Sequence, residues 1–254
     1  MFAPEGIYEP AGMFTPAHFI SLGICLVVLI TSIYFSRNIS IKNLKKITFI
    51  MAITFTILEI IKICYKFIVC KHSFTSFDSW LPLYYCSLFI YTTWMSISKN
   101  NYISKIGDSF ISCGCITGGL AFLVSPSTSL MIVPIWHFLS IHSLLFHTSM
   151  VYLGFMYIYR GLFSPDKKEL LQYTIFLALF MIPAELLNII SGSNMMMLRE
   201  PFNFPIKLAY DIYNFKPALW TLISVLTYCL VPFAFSCFIY FIINLFRKKK
   251  QKTA

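Results

Sequence analysis

The sequence predicts an all-α fold, a polytopic membrane protein built as a seven-transmembrane-helix bundle. Hydrophobic residues make up 58% of the 254 residues and charged residues 12%, about half the charged share of a typical soluble domain. The mean hydropathy is +0.74. This composition rules out a soluble core with one membrane anchor, and we expect a single transmembrane domain over residues 1–254.

Seven apolar runs account for most of the chain, each near or above the length that crosses a bilayer at about 1.5 Å per residue. Polar or proline-containing segments separate them. The predicted helices are Ala17–Ser36, Ile47–Val69, Leu81–Ile97, Ile106–Val124, Pro134–Tyr159, Leu170–Ile190 and Pro217–Phe246. No basic region precedes the first run, so we expect that run to be a retained span rather than a removed signal peptide.

The distribution of basic residues predicts the orientation. With seven crossings, 14 of the 20 lysines and arginines fall on the face of the 1–2, 3–4 and 5–6 connections and the C-terminus. Because the more basic side is cytoplasmic, we expect the N-terminus outside and the C-terminus inside. The net charge of +10 is therefore attributed to the basic cytoplasmic side of a membrane protein, and no nucleic-acid partner is expected.

The eight cysteines give no sign of a cofactor. Most lie within apolar runs and none forms a C-x-x-C pair, so neither a zinc site nor a disulfide framework is indicated. No metal and no other cofactor is predicted. A cysteine in such a run usually packs as a small hydrophobic residue.

Three histidines, His137, His142 and His147, lie in the first half of the fifth predicted helix. Steps of five residues turn the helix face by about 140°, so the three rings cannot point one way. His137 and His147 lie within about 80° of each other, and His142 points elsewhere. Because ionisable residues at membrane depth are costly, they suggest a functional site.

Other polar side chains fall in the outer halves of the predicted helices. Cys86 lies about 8 Å into the third helix, and Glu185 and Asn188 lie one turn apart near the outer end of the sixth. Glu59, Lys62 and Lys66 share a stripe on the second helix, where we expect Glu59 to pair with Lys62 or with a lysine one to two turns along. We expect the inner halves of the predicted helices to be nearly free of ionisable groups. A functional site built from polar side chains would therefore lie on the outer side of the membrane.

Several segments, in this order, resemble the YwaF / transmembrane protein 164 family of integral membrane proteins. The matching segments are FTPAHF (Phe14–Phe19), the Glu59 helix, WLPLYYC (Trp80–Cys86), TGGLAFLVSP (Thr117–Pro126), SIHSLL (Ser140–Leu145), LNIISGSNMMMLREP (Leu187–Pro201) and the Pro217 helix. The resemblance runs through nearly the whole chain.

The resemblance implies a thiol-dependent acyltransferase acting on ether lysophospholipids, with a cysteine nucleophile and the fifth-helix histidine as base. His142 matches that histidine. In the vertebrate relative, the cysteine directly follows the helix-3 proline and precedes a histidine, whereas this chain has Leu83 and Tyr84 there. Cys86 instead fits the L-P-L-H-x-C form of bacterial members, with Tyr84 in place of the histidine, and this likeness implies a bacterial cell membrane. The predicted catalytic residues are thus Cys86 and His142.

Glu185, Asn188, Asn194 and Tyr84 are the predicted substrate-binding residues. Either asparagine could donate to an oxyanion, and the glutamate could orient a histidine. Membrane phospholipids are the expected partners. Two other functions stay open: a carrier or channel with an outward-facing polar vestibule, and a membrane protein that binds a lipid or partner without turnover.

Overall fold

The computed structural model of the protein describes the backbone of residues 1–252 and the side chains through Lys248, and it contains no β-strand in this range. The side chains of Lys249, Lys250 and Lys252, which belong to the basic C-terminal segment, therefore lie outside the described residues. Seven principal helices are α1 (Pro16–Ser36), α2 (Ile41–Ile68), α3 (Leu88–Ser96), α4 (Asn101–Val124), α5 (Phe138–Tyr159), α6 (Lys167–Ser191) and α7 (Pro217–Lys252). All except α3 are long and apolar enough to span a membrane.

Local sequence signals explain several of the helix ends. Thr15 caps α1, where its side chain accepts a hydrogen bond from the His18 amide and Pro16 occupies the first turn. Asp166 caps α6 by accepting from the Glu169 amide. At the other end of α6, Gly192 adopts a left-handed conformation with φ of 73°, which glycine allows without strain.

Contacts between helix ends divide the bundle into two faces. On the N-terminal face, the Tyr65 hydroxyl at the end of α2 donates to the Ala3 carbonyl at 2.5 Å. On the C-terminal face, the Lys45 ammonium near the start of α2 donates to the Ser96 carbonyl at the end of α3, at 2.7 Å. The Trp80 ring lies beside Phe67 at the end of α2, with centroids 5.6 Å apart. Residues 81–96 therefore run from the N-terminal face to the C-terminal face, and the chain makes seven crossings as the sequence predicts.

The third crossing is less helical than the predicted Leu81–Ile97 because only Leu88–Ser96 forms a helix. Proline disfavours the helical conformation in the residue before it and donates no backbone hydrogen bond. Leu81 accordingly has extended backbone angles, φ −73° and ψ 123°, immediately before Pro82. Residues 81–87 thus enter the bundle as an irregular segment.

The helices α4 and α5 form the buried centre of the bundle, and two glycines allow their close approach. A Cβ atom on Gly119 of α4 would lie 2.7 Å from the His147 carbonyl, and one on Gly154 of α5 would lie 2.8 Å from the Ile111 carbonyl. Glycine packing of this kind is common where membrane helices touch.

A π-helical turn interrupts α4 at Ile111–Cys115. Such turns displace backbone carbonyls from the regular hydrogen-bond pattern. The Ser112 carbonyl is satisfied by α7, where the Ser236 hydroxyl donates to it at 2.8 Å. This bond ties α7 to the central pair.

Candidate functional site

His137 has a structural role at the start of α5. It is the N-cap residue, and its Nδ1 accepts a hydrogen bond from the Leu139 amide at 3.2 Å. Its Nε2 donates to the Ala3 carbonyl at 2.9 Å. Both ring nitrogens are therefore engaged, and the side chain fastens the N-terminal segment to the bundle.

His142 lies one and a half turns further along α5 and is only 6% exposed. Its ring packs against Phe138 and Phe146, with centroid separations of 5.9 and 5.7 Å. Its buried Nε2 has no hydrogen-bond partner among the described residues. An unpartnered buried polar atom is costly, so this ring is available to a ligand or a reacting group.

His147 also keeps a free nitrogen, but its ring is more firmly held. Its face stacks on Phe122 of α4, with centroids 3.6 Å apart. Its Nδ1 lies 2.7 Å from the Ser143 carbonyl, and because a carbonyl only accepts, Nδ1 carries the proton. The Nε2 is then the basic nitrogen, and it has no partner in the described part of the chain.

Glu59 and Lys62 form an ion pair on α2. The Lys62 ammonium lies 2.7 Å from a carboxylate oxygen of Glu59, which is 5% exposed. The contact is an ion pair rather than a well-aligned hydrogen bond. This ion pair confirms the predicted pairing of Glu59.

Replacing Glu59 by glutamine is expected to lower stability because it leaves the Lys62 ammonium without its partner. Neutralising both residues, as Glu59→Gln with Lys62→Met, should restore part of the loss. We expect a coupling energy of about 0.5–3 kcal/mol from thermal unfolding of the two single variants and the double variant in detergent. A double variant no more stable than Glu59→Gln would contradict a stabilising pair.

Cys86 lies at the end of the irregular segment, directly before Ser87, the N-cap residue of α3. Its side chain is half-buried, and its Sγ lies 4.0 Å from the Gly118 carbonyl of α4. No hydrogen bond joins Cys86 to His142 in the part of the chain that the structure describes. The preceding Tyr85 ring stacks on Tyr228 of α7, with centroids 4.7 Å apart, and this contact holds the segment in place.

Asn188 and Asn194 organise the chain after α6. The Asn188 amide accepts from the Met195 backbone amide at 2.7 Å and donates to the Met195 carbonyl at 3.1 Å. The Asn194 amide donates to the Glu200 carbonyl at 2.9 Å. Since these bonds engage both side chains, their present contacts are with the protein's own loop.

Glu185 accepts a hydrogen bond from the Asn188 amide at 3.1 Å. With Asn188, Ile189, Gly192 and Arg199, it lines an open cleft of about 310 Å³ on the N-terminal face. Tyr84, the remaining predicted binding residue, is partly buried two positions before Cys86. The cleft combines a carboxylate and a guanidinium within one small space.

The expectation that the inner halves carry almost no ionisable groups is wrong. Asp108 of α4 is 3% exposed and lies 2.5 Å from the Lys45 ammonium. The Ser96 hydroxyl donates to the same carboxylate oxygen at 2.7 Å and contacts the Tyr157 hydroxyl at 2.7 Å. This network lies on the C-terminal face, away from the three histidines of α5.

This polar network was missed because α4 begins at Asn101 rather than at Ile106, which places Asp108 well inside the helix. Its partner is 63 positions earlier in the chain, so no local spacing reveals the pair. Glu169, near the start of α6, is also buried, and one of its carboxylate oxygens has no partner among the described residues.

Comparison with known proteins identifies one family. A model described as the TMEM164 family matches residues 13–243. The match includes α1 to α6, most of α7, and the positions of Cys86 and His142. No curated protein and no solved structure matches the chain. The protein is thus an integral membrane protein, and its sequence belongs to the TMEM164 family.

Proposed function

We propose that the protein is a phospholipid acyltransferase that uses Cys86 as nucleophile and His142 as general base. The observation that carries this proposal is the irregular backbone of residues 81–87 inside a helical bundle. Non-helical backbone at membrane depth is tolerated only where protein or a water-filled cavity surrounds it. Here that segment ends at a half-buried thiol on the N-terminus of a helix.

The position of Cys86 supports a nucleophilic role. The N-terminus of a helix carries partial positive charge, which stabilises an anion such as a thiolate. Burial in apolar surroundings has the opposite effect, so the thiol needs a nearby base to ionise. The two free Nε2 atoms on α5 provide the candidates.

His142 is the proposed base because it matches the family's helix-5 histidine and its Nε2 is free. Since no hydrogen bond joins His142 and Cys86 among the described residues, the substrate-bound state must bring them within hydrogen-bond reach. Catalytic hydrogen bonds often form only in such complexes.

The proposed chemistry proceeds in two balanced steps. The imidazole takes the Cys86 proton, and the thiolate attacks the ester carbonyl of a donor phospholipid, forming the C–S bond. The C–O bond breaks, and the departing lysophospholipid alkoxide takes the proton from the imidazolium. The hydroxyl of an acceptor lysophospholipid then attacks the thioester, transferring its proton through the imidazole to the leaving thiolate.

Backbone amides are available to stabilise the oxyanion of each step. The N–H groups of Cys86 and Ser87 make no hydrogen bond within the described residues. Paired backbone N–H groups at a nucleophile are a common form of oxyanion hole. Asn188 and Asn194 could assist only by giving up their present loop contacts.

We assign the cleft between Glu185 and Arg199 to the polar part of the lipid. It connects to Cys86 through packed residues. Asn188 binds Met195, the neighbouring Met196 carbonyl accepts from the Tyr228 hydroxyl at 2.8 Å, and Tyr228 stacks on Tyr85. Tyr84 would contact the acyl part. In line with the positive-inside rule, the proposal has this face outside the cytoplasm.

Acyl transfer in liposomes tests the proposal. Purified protein is reconstituted with a phosphatidylcholine that carries a deuterated sn-2 chain, together with an ether lysophospholipid acceptor. Mass spectrometry should detect the deuterated chain on the acceptor, with turnover unaffected by Cys64→Ser, a control at an exposed cysteine of α2. Failure to transfer the chain while the protein retains bound lipid would contradict the enzyme and favour a binding protein.

A further inference from the structure

The N-terminal segment lies across the N-terminal face of the bundle and is held there by specific bonds. The Phe138 amide donates to the Met1 carbonyl at 3.0 Å, and Ala3 accepts from Tyr65 and His137. The Phe2 ring stacks on Phe138, with centroids 4.9 Å apart. These contacts place Glu5, two residues after Ala3, beside the end of α2.

Two potential metal ligands meet Glu5 there. Cys70 and His72 follow α2 in the connection to α3, and one ligand atom of each of the three residues lies within 4.8 Å of the other two. The His72 Nε2 and one Glu5 oxygen are 3.6 Å apart. Between the two ligands, Lys71 has a left-handed conformation with φ of 58°, which turns the chain sharply between them.

We propose that Glu5, Cys70 and His72 form a binding site for one divalent ion of the zinc class. A thiolate, an imidazole and a carboxylate are the three donor types that zinc takes in proteins. A thiolate and an imidazole together favour zinc over magnesium and calcium, which prefer oxygen ligands. Three protein ligands leave a fourth coordination position for water.

The geometry requires only a small adjustment. Ligand atoms around a tetrahedral zinc ion, at about 2.0–2.3 Å from the metal, are separated from one another by roughly 3.5 Å. The distance of 3.6 Å between His72 Nε2 and Glu5 is close to this value. The separations that involve Cys70 are no longer than 4.8 Å, so they need to shorten by little more than about 1 Å at most. All three side chains are partly exposed, so an ion can enter from solvent and the Cys70 proton can leave to water.

Lys66 orients the carboxylate. It forms an ion pair with the Glu5 oxygen that does not face His72. Outer contacts of this kind fix the position of a metal ligand. A bound ion would therefore add another link between the N-terminal segment and the end of α2, in addition to the Lys66–Glu5 ion pair and the Tyr65–Ala3 hydrogen bond.

Cobalt(II) titration of the full-length protein tests this site, because zinc itself is spectroscopically silent. The protein carries a C-terminal tag without histidines and is kept reduced in detergent. We expect one cobalt ion per chain, visible as tetrahedral d–d bands and a near-ultraviolet thiolate-to-cobalt band. Zinc should displace the cobalt. Absence of the thiolate band in the wild-type protein would overturn the proposal.

Variants assign the ligands. Cys70→Ser should remove the thiolate band, and Glu5→Gln and His72→Ala should each weaken zinc binding by at least about tenfold. Cys64→Ser, on the same helix but outside the cluster, is the matched control and should leave both readouts unchanged. A thiolate band that survives Cys70→Ser, or that disappears in Cys64→Ser, places the ion elsewhere. These results do not depend on acyl transfer.

Discussion

Replacing Cys86 by serine is expected to reduce acyl transfer by at least about a thousandfold, because a serine hydroxyl at this position is a far weaker nucleophile than a thiolate. The substitution is nearly isosteric. Among the described residues the thiol makes one weak hydrogen bond, to the Gly118 carbonyl at 4.0 Å, so the thermal stability of the variant should be close to that of the wild type. Initial rates of deuterated-chain transfer in liposomes measure the effect.

The control for this variant is Cys64→Ser, which changes an exposed thiol on α2 and should keep the wild-type rate. Cys86→Ala separates nucleophile loss from any residual serine reactivity and should be equally inactive. Transfer by Cys86→Ser within severalfold of the wild-type rate would remove the thiol from the mechanism, whatever the fate of the histidines.

Replacing His142 by glutamine is expected to lower turnover by about 10²–10⁴-fold, the usual effect of losing a general base. Glutamine keeps hydrogen-bonding capacity without useful basicity, so the variant distinguishes proton transfer from a structural role. Because the His142 Nε2 makes no hydrogen bond within the described residues, folding should be little affected. The rate of chain transfer and the melting temperature are measured on the same preparation.

Two matched variants complete this comparison. His137→Ala should lower the melting temperature, because it removes the α5 cap and the bond to Ala3, but it should leave activity within severalfold. His147→Gln should also keep activity within severalfold. If His142→Gln is active and His147→Gln is inactive, the base is His147, whose Nε2 is likewise free.

The sequence was most informative where polar residues interrupt an apolar pattern. The histidines of α5 and the Glu59–Lys62 pair follow from local spacing, because residues three apart on a helix are neighbours. The lengths of the apolar runs place six of the seven crossings at the observed helices. The family resemblance then separates His142 from the other two histidines.

Features that depend on distant contacts could not be predicted in this way. The Asp108 carboxylate pairs with Lys45, which lies 63 positions earlier. Glu5 reaches Cys70 and His72 only because the N-terminal segment folds over the bundle. Pro82 indicates an irregular start of the third crossing. The run Leu81–Ile97 was nevertheless predicted as one helix because it is apolar over nearly the length that crosses a membrane.

Detection of an acyl-enzyme tests the central claim most directly. The protein is incubated with the deuterated donor phospholipid without an acceptor, and peptides are analysed by mass spectrometry before and after hydroxylamine treatment. The account predicts a hydroxylamine-labile deuterated acyl group on Cys86, which disappears when lysophospholipid is added and is absent in Cys86→Ser. Acyl transfer that proceeds without any adduct on Cys86, or with the adduct on Cys64, would contradict it.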